Sequence, residues 1–265
     1  MSSRRSTTED PWHALRSLTS ARIAQGRSGS SLPTAPMLAF ELARARARDA
    51  VHLPFDPQIL AQAAPNDIGV IHVHSAAPTR DIYLRRPDLG RRLDSASRAR
   101  LETLSAAAPD ISFDIAFVMA DGLSAGAAHQ HAVAVFSLAY RALRVADWQI
   151  APLVIAEQAR VALGDEIGQL LGARQIAILI GERPGLSAAN SLGIYLTYGP
   201  RLGRSDAERN CISNIHPDGG LGYSQAAHKL VWLLREAQKM QLTGVLLRDE
   251  SEQGPPLIAD RIPGS

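Results

Sequence analysis

The chain has 265 residues, of which 46% are hydrophobic and 20% are charged, and its net charge is +2. This composition indicates a globular protein with a sizeable core, and no apolar run approaches the roughly 18 residues that a membrane span needs. The single cysteine, Cys211, excludes an intramolecular disulfide and a zinc site built from several thiolates. Because the first ten residues are polar and resemble no secretory signal, we expect a cytoplasmic protein.

Residues 1–105 are predicted to form an arginine-rich, largely helical region. Residues 1–100 hold 15 Arg, no Lys and 9 Asp or Glu, an excess of positive charge that favours an acidic partner. The arginines are not interleaved with aromatic residues, so we expect a protein partner rather than nucleic acid. Apolar spacing predicts three helices here, at 11–18, 36–51 and 94–105, and one isolated strand at 68–73.

From residue 106 to residue 265, predicted strands and helices alternate. The strands are expected at 111–119, 148–155, 176–180, 192–198 and 243–247, and the helices at 123–143, 164–171 and 222–241. This order predicts an α/β fold with a doubly wound, mostly parallel sheet.

The stretch from Ile176 to Gly185 defines the expected ligand edge. Its first five residues are all apolar, which is typical of a central parallel strand covered on both faces. Two glycines and a proline then break the strand and leave Glu182 and Arg183 at its carboxyl end. Open α/β sheets bind ligands at that edge.

A serine hydrolase is the alternative interpretation. Gly122-Leu-Ser-Ala-Gly126 matches the G-x-S-x-G nucleophile elbow, with Ser124 as nucleophile between a strand and a helix. An acid and a histidine later in the chain could complete a triad: Asp147 or Asp165 with His216 or His228. However, the elbow normally follows several strands, and only one is predicted before it. The competing interpretation of this motif is structural: Asp121 and Ser124 cap a helix whose first turn needs small residues.

Other motifs for cofactors or metals give no clear prediction. The pair His129 and His131 would face different directions on a helix, and the pair His72 and His74 has no third ligand nearby, so no metal site is predicted. Neither a G-x-G-x-x-G nor a P-loop fingerprint is present. Two segments rich in hydrogen-bonding side chains are expected near the Glu182 edge, at 160–168 and 206–220.

Several sequence blocks between about Trp12 and Arg248 form a highly specific combination. They are Thr19-Ser-Ala-Arg-Ile-Ala-Gln-Gly-Arg-Ser-Gly with Leu32-Pro-Thr, Ala45-Arg-Ala-Arg-Asp-Ala-Val-His, Tyr83-Leu-Arg-Arg-Pro-Asp-Leu-Gly-Arg-Arg-Leu, Asp121-Gly-Leu-Ser, Arg160-Val-Ala-Leu-Gly-Asp-Glu-Ile-Gly, Gly181-Glu-Arg-Pro-Gly-Leu-Ser and Arg209-Asn-Cys-Ile-Ser-Asn-Ile. Together these blocks resemble one known family, the small (light) subunit of ethanolamine ammonia-lyase.

The resemblance implies an adenosylcobalamin-dependent enzyme that converts ethanolamine to acetaldehyde and ammonia by a radical mechanism. It implies that the chain is active only in a hetero-oligomer with a large (heavy) subunit. That subunit would be a TIM barrel and would carry the substrate site. Residues 1–105 would contact that subunit, and residues 106–265 would form a Rossmann-like cobalamin-binding domain. Packaging in a bacterial microcompartment is left open.

The resemblance also implies the cofactor contacts. By their positions in matching motifs, Val161, Glu182 and Cys211 would bind cobalamin, and this chain would supply no catalytic residue and no metal ligand. The D-x-H-x-x-G signature is missing, because no histidine has an aspartate two residues before it. The cofactor is therefore expected to keep its own dimethylbenzimidazole as lower ligand, that is, base-on.

Overall fold

A computed structural model of the chain describes residues 7–19, 21–107 and 112–253. Its α-helices are α1 Thr34–His52, α2 Pro57–Ala63, α3 Arg80–Arg85, α4 Ser95–Ala107, α5 Ala125–Ala127, α6 Val133–Val145, α7 Leu163–Leu170 and α8 Tyr223–Met240. A π-helical turn, Ala128–Ala132, joins α5 to α6. The 3-10 helices are His13–Leu18, Leu89–Arg91, Asp206–Glu208 and Ser251–Gln253. The strands are β1 Val70–His74, β2 Phe113–Ala120, β3 Leu153–Glu157, β4 Ala173–Gly181, β5 Leu192–Tyr198 and β6 Asn210–Ile215.

The six strands form one mixed sheet in the order β1-β3-β2-β4-β5-β6. The first four strands in that order are parallel, whereas β5 runs antiparallel to β4 and β6 antiparallel to β5. Ile178 on β4 pairs with Val118 on β2 and with Tyr195 on β5. The prediction that β4 is an interior strand is therefore confirmed.

Helices cover both faces of the sheet, and side chains alternate between them. Phe117 and Met119 of β2 pack on the face covered by α6 and α8. Their neighbours Ala116 and Val118 pack on the other face, with residues of α4 and α7. An interior strand must be apolar on both sides, which explains its continuous hydrophobic sequence. Within the described residues, no helix combines the length and apolar character needed to cross a membrane.

Three sequence predictions for strands need correction. The strand predicted at 68–73 is not isolated, because Val70–His74 pairs in parallel with β3 and so joins residues before 105 to the sheet. Residues 243–247 form turns rather than a strand, while the unpredicted β6 forms the sheet edge. The second predicted strand begins later, at Leu153. Residue 111, predicted to start a strand, lies outside the described residues.

The predicted helices agree better with the structure. Those predicted at 36–51, 94–105, 164–171 and 222–241 correspond to α1, α4, α7 and α8. The helix predicted at 123–143 is present as α5, the π-helical turn and α6. The short segment at 11–18 forms a 3-10 helix instead of an α-helix.

The loop after β2 packs directly against the end of β4. Gly122 adopts a left-handed conformation (φ +55°), and a Cβ there would clash with the backbone oxygen of Gly181. A Cβ on Gly181 would clash in turn with the backbone oxygens of Asp121 and Ser124. Only glycine allows two backbone segments to approach this closely.

We predict that Gly181→Ala lowers the free energy of unfolding by about 3 kcal/mol, because the clashing atoms belong to the backbone and cannot rotate away. Gly222→Ala is the control, since a Cβ at Gly222 meets nothing within 4 Å. It should change the free energy by less than about 1 kcal/mol. Urea denaturation measures both, and equal losses would contradict the close approach.

Candidate functional site

A groove lies at the carboxyl ends of β2, β3 and β4. Its volume is about 430 Å³. Its lining comes from α3, β4, β5 and the loops after β2, β3 and β4: Tyr83, Gly122, Leu123, Arg160, Val161, Ile180, Gly181, Glu182, Arg183 and Tyr195. Two of the three predicted cofactor residues, Val161 and Glu182, belong to this lining. The structure thus brings them to one groove.

The buried carboxylate of Asp121 joins the elements that form the groove. Its Oδ1 accepts hydrogen bonds from the backbone N–H groups of Gly122 and Ala159, at 2.9 and 3.0 Å. Its Oδ2 accepts from the N–H of Gln158 and from Nη1 of Arg80, both at 3.1 Å. These charge-assisted bonds connect the ends of β2 and β3 to α3.

The charge state of Asp121 depends on a balance between burial and these bonds. Burial raises the pKa of Asp121 to about 6, although the backbone hydrogen bonds and Arg80 act to lower it. The carboxyl is therefore ionised at neutral pH and pairs with the arginine. Removing one partner of a buried ion pair strongly destabilises the folded protein, because the other charge stays buried without a partner.

Two arginines lie over the ring of Tyr83. The guanidinium carbons of Arg80 and Arg160 are 4.7 and 4.2 Å from the ring centroid, within the range of cation–π attraction. The Tyr83 hydroxyl donates to the backbone oxygen of Ala159 at 3.0 Å. Nε of Arg160 is buried and has no hydrogen-bond partner in the described part of the chain. Such a donor is costly unless a ligand supplies an acceptor.

Glu182 is held in place from two sides. Its Oε2 accepts hydrogen bonds from the Ser191 hydroxyl at 2.7 Å and from the Asn214 N–H at 3.1 Å. The Cβ that Gly193 lacks would lie 2.8 Å from Oε1, so glycine leaves space for the carboxylate. These contacts fix the orientation of the Glu182 carboxylate at the groove before any ligand binds.

Cys211 lies beside the groove on an open part of the sheet. It pairs across the strands with Tyr195, which lines the groove, and paired residues share a face. The cysteine is exposed. Desolvation raises the pKa of the Cys211 thiol, and the hydrogen bond with Tyr195 partly opposes this shift. The thiol is therefore neutral at pH 7.

The structure corrects the predicted position of the 206–220 segment. Its first residues lie at the opposite edge of the sheet from Glu182, because the antiparallel β5 carries the chain there. β6 then returns, and Asn214 reaches Glu182. Cys211 is thus in an edge strand rather than in a loop at the ligand edge. The polar residues of β6 conceal its strand character from apolar-pattern arguments.

Ser124 has the environment of a helix-capping residue. It is fully buried, and its Oγ accepts a hydrogen bond from the Ala127 N–H at 3.3 Å. The candidate histidines have other partners: His216 Nε2 bonds to Asn214 Oδ1, and His228 Nε2 bonds to a backbone oxygen. Within the described ranges, no hydrogen bond joins Ser124 to a histidine. This arrangement favours the capping interpretation of Ser124 over the nucleophile elbow. The prediction that Asp121 also caps the helix is wrong, because its carboxylate binds the N–H groups of Gly122, Gln158 and Ala159.

The histidines of the helical pair have separate structural contacts. His129 stacks on Phe55 with ring centroids 5.1 Å apart, and Nδ1 of His131 bonds to the hydroxyl of Tyr223. Burial lowers the pKa of both histidines. In the part of the chain that the structure describes, no group of three or more His, Cys, Asp or Glu residues could hold a metal ion.

Sequence patterns miss two residues that build the groove, Arg80 and Tyr83. Arg160 begins the 160–168 segment, and its predicted position near Glu182 is confirmed. Tyr83 is the first residue of one matching block and Arg160 is the first residue of another. The blocks therefore mark both residues but do not indicate what their side chains contact. Arg80 lies outside every block. Its pairing with Asp121 spans 41 positions, and such a long-range contact cannot be inferred from local spacing.

The fold and the groove define an α/β protein with a polar groove at the carboxyl ends of its parallel strands, the usual ligand position of this class. The family model described as ethanolamine ammonia-lyase light chain (EutC) matches residues 9–248. The chain belongs to this family.

Curated relatives support the same assignment over most of the chain. An ethanolamine ammonia-lyase small subunit from Ralstonia nicotianae is 56% identical over 246 residues, which cover 92% of this chain and 90% of that protein. The small subunit from Azotobacter vinelandii is 53% identical over 253 residues, covering 95% and 93%. That from Pseudomonas syringae is 53% identical over 244 residues, covering 92% and 84%.

The raised pKa of Asp121 predicts a pH dependence with a defined sign. Asp121 holds its proton more tightly in the folded chain, with a pKa of about 6 against an ordinary 3.8, so folding takes up a proton between these values. Its contribution to the free energy of unfolding is therefore largest below about pH 4 and falls by about 3 kcal/mol as the pH rises past 6.

Urea denaturation of the native chain and of Asp121→Asn at several pH values measures this contribution. The native chain's stability minus that of the variant should fall between about pH 4 and pH 6 and stay constant above about pH 7. A difference that rises with pH would mean that Arg80 outweighs burial, contrary to this description of the site.

Proposed function

We propose that this chain is the small subunit of an adenosylcobalamin-dependent ethanolamine ammonia-lyase, which converts ethanolamine to acetaldehyde and ammonia. The observation that supports the proposal is that Val161 and Glu182 line one open groove and that Cys211 pairs with Tyr195, a third residue of its lining, in a chain of the matching family. We further propose that its α/β part is a Rossmann-like cobalamin-binding domain and that residues 1–105 contact the large subunit.

The chemistry of the groove suits a cobalamin. The corrin carries amide side chains, which both donate and accept hydrogen bonds, around an apolar ring. The groove offers the Nε of Arg160, which has no partner among the described residues, as a donor and the Glu182 carboxylate as an acceptor. Leu123, Val161 and Ile180 add apolar surface. A few oriented polar groups among apolar ones are typical of cofactor sites.

Cys211 and Tyr195 would offer neutral contacts to the cofactor. The pKa of each is raised by desolvation, so both keep their protons at pH 7. Neutral groups accept amide contacts without the cost of burying a charge. We also propose that the cofactor keeps its dimethylbenzimidazole, because the sequence lacks the D-x-H-x-x-G signature.

When bound, adenosylcobalamin supplies radical chemistry by homolysis of its cobalt–carbon bond. The residues of this chain bind and orient the cofactor and, with the partner, exclude water from it. We assign no catalytic residue to this chain and place the substrate site on the large subunit. The chain alone is therefore expected to be inactive.

The partner proposal is supported by apolar side chains exposed in the first 60 residues. Their exposed fractions are high, for example 68% at Trp12, 80% at Leu18 and 59% at Leu38. Further exposed apolar residues of this region are Leu15, Leu32, Met37, Leu42, Leu53 and Ile59. Clustered exposed apolar groups mark interaction surfaces, and a large subunit would cover them.

Cobalamin binding to the complex tests this function. The chain is co-expressed with a large subunit, the complex is purified, and cobalamin is titrated by ultraviolet–visible spectroscopy. Glu182→Ala should weaken cobalamin binding about tenfold, because a hydrogen bond to a charged group contributes about 1.5 kcal/mol or more. Glu236→Ala is the control, since this glutamate lies on α8, on the opposite face of the sheet.

Three outcomes would contradict the proposal. Equal cobalamin binding after Glu182→Ala would reduce the chain to a scaffold. Turnover of ethanolamine by the chain alone would exclude dependence on the complex. If no complex forms and a fluorophosphonate probe labels Ser124, the serine hydrolase becomes the better interpretation.

A further inference from the structure

A second hollow lies beside α7 and is called here the arginine cleft. Its volume is about 720 Å³. Five of its twelve lining residues are arginines: Arg91, Arg92, Arg98, Arg204 and Arg209. Ala162 lines the cleft and the preceding Val161 lines the groove, so the two hollows adjoin. The function proposed above makes no use of this cleft.

Three of the five arginines already have carboxylate partners. The pairs are Arg98 with Glu166, Arg204 with Glu208, and Arg209 with Asp165 and Asp206. Asp88, a further acid of the lining, is paired with Arg86 at 2.7 Å. Arg91 and Arg92 are exposed and form no ion pair with a described residue. These two guanidiniums therefore give the cleft its free positive charge.

The backbone that carries the two free arginines is held rigidly. Arg91 ends a 3-10 helix, and the backbone oxygen of Arg92 accepts a hydrogen bond from the Ala76 N–H at 2.8 Å. The next N–H, that of Leu93, donates to the buried carboxylate of Glu166 at 2.9 Å. Because the backbone is already fixed, binding a ligand here costs the rotamer entropy of the two side chains but little further backbone entropy.

Arg209 adds a buried donor at the cleft wall. Its side chain is 2% exposed, and its Nε has no hydrogen-bond partner within the described residues. Its other nitrogens donate to Asp165 and Asp206. A buried unsatisfied donor is costly, and an oxyanion in the cleft would supply the missing acceptor.

We propose that the arginine cleft is a second ligand site, which binds a phosphate group through Arg91 and Arg92. Guanidinium forks match phosphate oxygens in geometry and charge, and a concave site suits a small tetrahedral anion. The phosphate has two sources: a free phosphate, or the phosphodiester of a cobalamin that extends from the adjoining groove. The second source rests on the function proposed above.

Calorimetric titration of the full chain with inorganic phosphate, at constant ionic strength, tests the cleft independently of cobalamin. We expect saturable binding that Arg91→Gln/Arg92→Gln weakens by at least about tenfold. The control Arg141→Gln/Arg144→Gln removes two exposed arginines from α6, on the other face of the sheet. It should change the affinity by less than about twofold, because salt screens remote charges.

Two results would overturn the proposal. One is the absence of saturable phosphate binding to the native chain. The other is an equal loss of affinity in the two double variants, which would mean that only net charge attracts the anion. Because both pairs of arginines are exposed, thermal unfolding should show that both variants keep the native fold.

Titrations of the complex with its large subunit distinguish the two sources. If the phosphodiester of cobalamin occupies the cleft, Arg91→Gln/Arg92→Gln weakens cobalamin binding but leaves the affinity for cobinamide, which lacks the nucleotide tail, unchanged. If a free phosphate occupies it, the variant leaves cobalamin binding unchanged and phosphate still binds to the cobalamin-loaded complex. A complex that binds neither corrinoid would refute the proposed function and leave the phosphate titration valid.

Discussion

The groove depends on one buried carboxylate. Asp121 accepts hydrogen bonds from three backbone N–H groups in the loops after β2 and β3, and its ion pair with Arg80 adds α3. Nε of Arg80 in turn donates to the backbone oxygen of Val51 in α1. The Asp121 carboxylate thus links the sheet to α3 directly and to α1 through Arg80, and both helices precede β2 in the chain. The loop that carries Arg160 and Val161 is thereby fixed at its first residues, Gln158 and Ala159, and the bond from the Tyr83 hydroxyl to Ala159 adds to this anchor.

The antiparallel end of the sheet determines how open the site is. The parallel strands are covered on both faces, whereas β6 leaves Cys211 exposed beside Tyr195. A ligand at the groove can therefore extend across β5 and β6 instead of entering a closed cavity. Such an exposed face suits a cofactor that a second protein covers from the opposite side, as we propose for the large subunit.

Much of this arrangement could be predicted from the sequence. The apolar run at Ile176 to Ile180 predicted the interior strand, and the break after it located Glu182 at the groove. The sequence did not predict β6, because the exposed residues of this strand are polar. The strand predicted at residues 243–247 is wrong, because the apolar residues there form turns. The contact between Arg80 and Asp121 depends on how distant segments pack, which spacing along the chain does not encode.

Hydrogen–deuterium exchange of the complex with its large subunit, with and without cobalamin, tests the central claim most directly. The backbone N–H groups of residues 158–163 and 181–183 should exchange more slowly when cobalamin is present, because the loops of the groove would lie under the cofactor. The α8 backbone, on the other face of the sheet, should exchange at the same rate and serves as the internal reference. Unchanged exchange in both groove segments on cobalamin binding would contradict the claim that this chain forms part of the cofactor site.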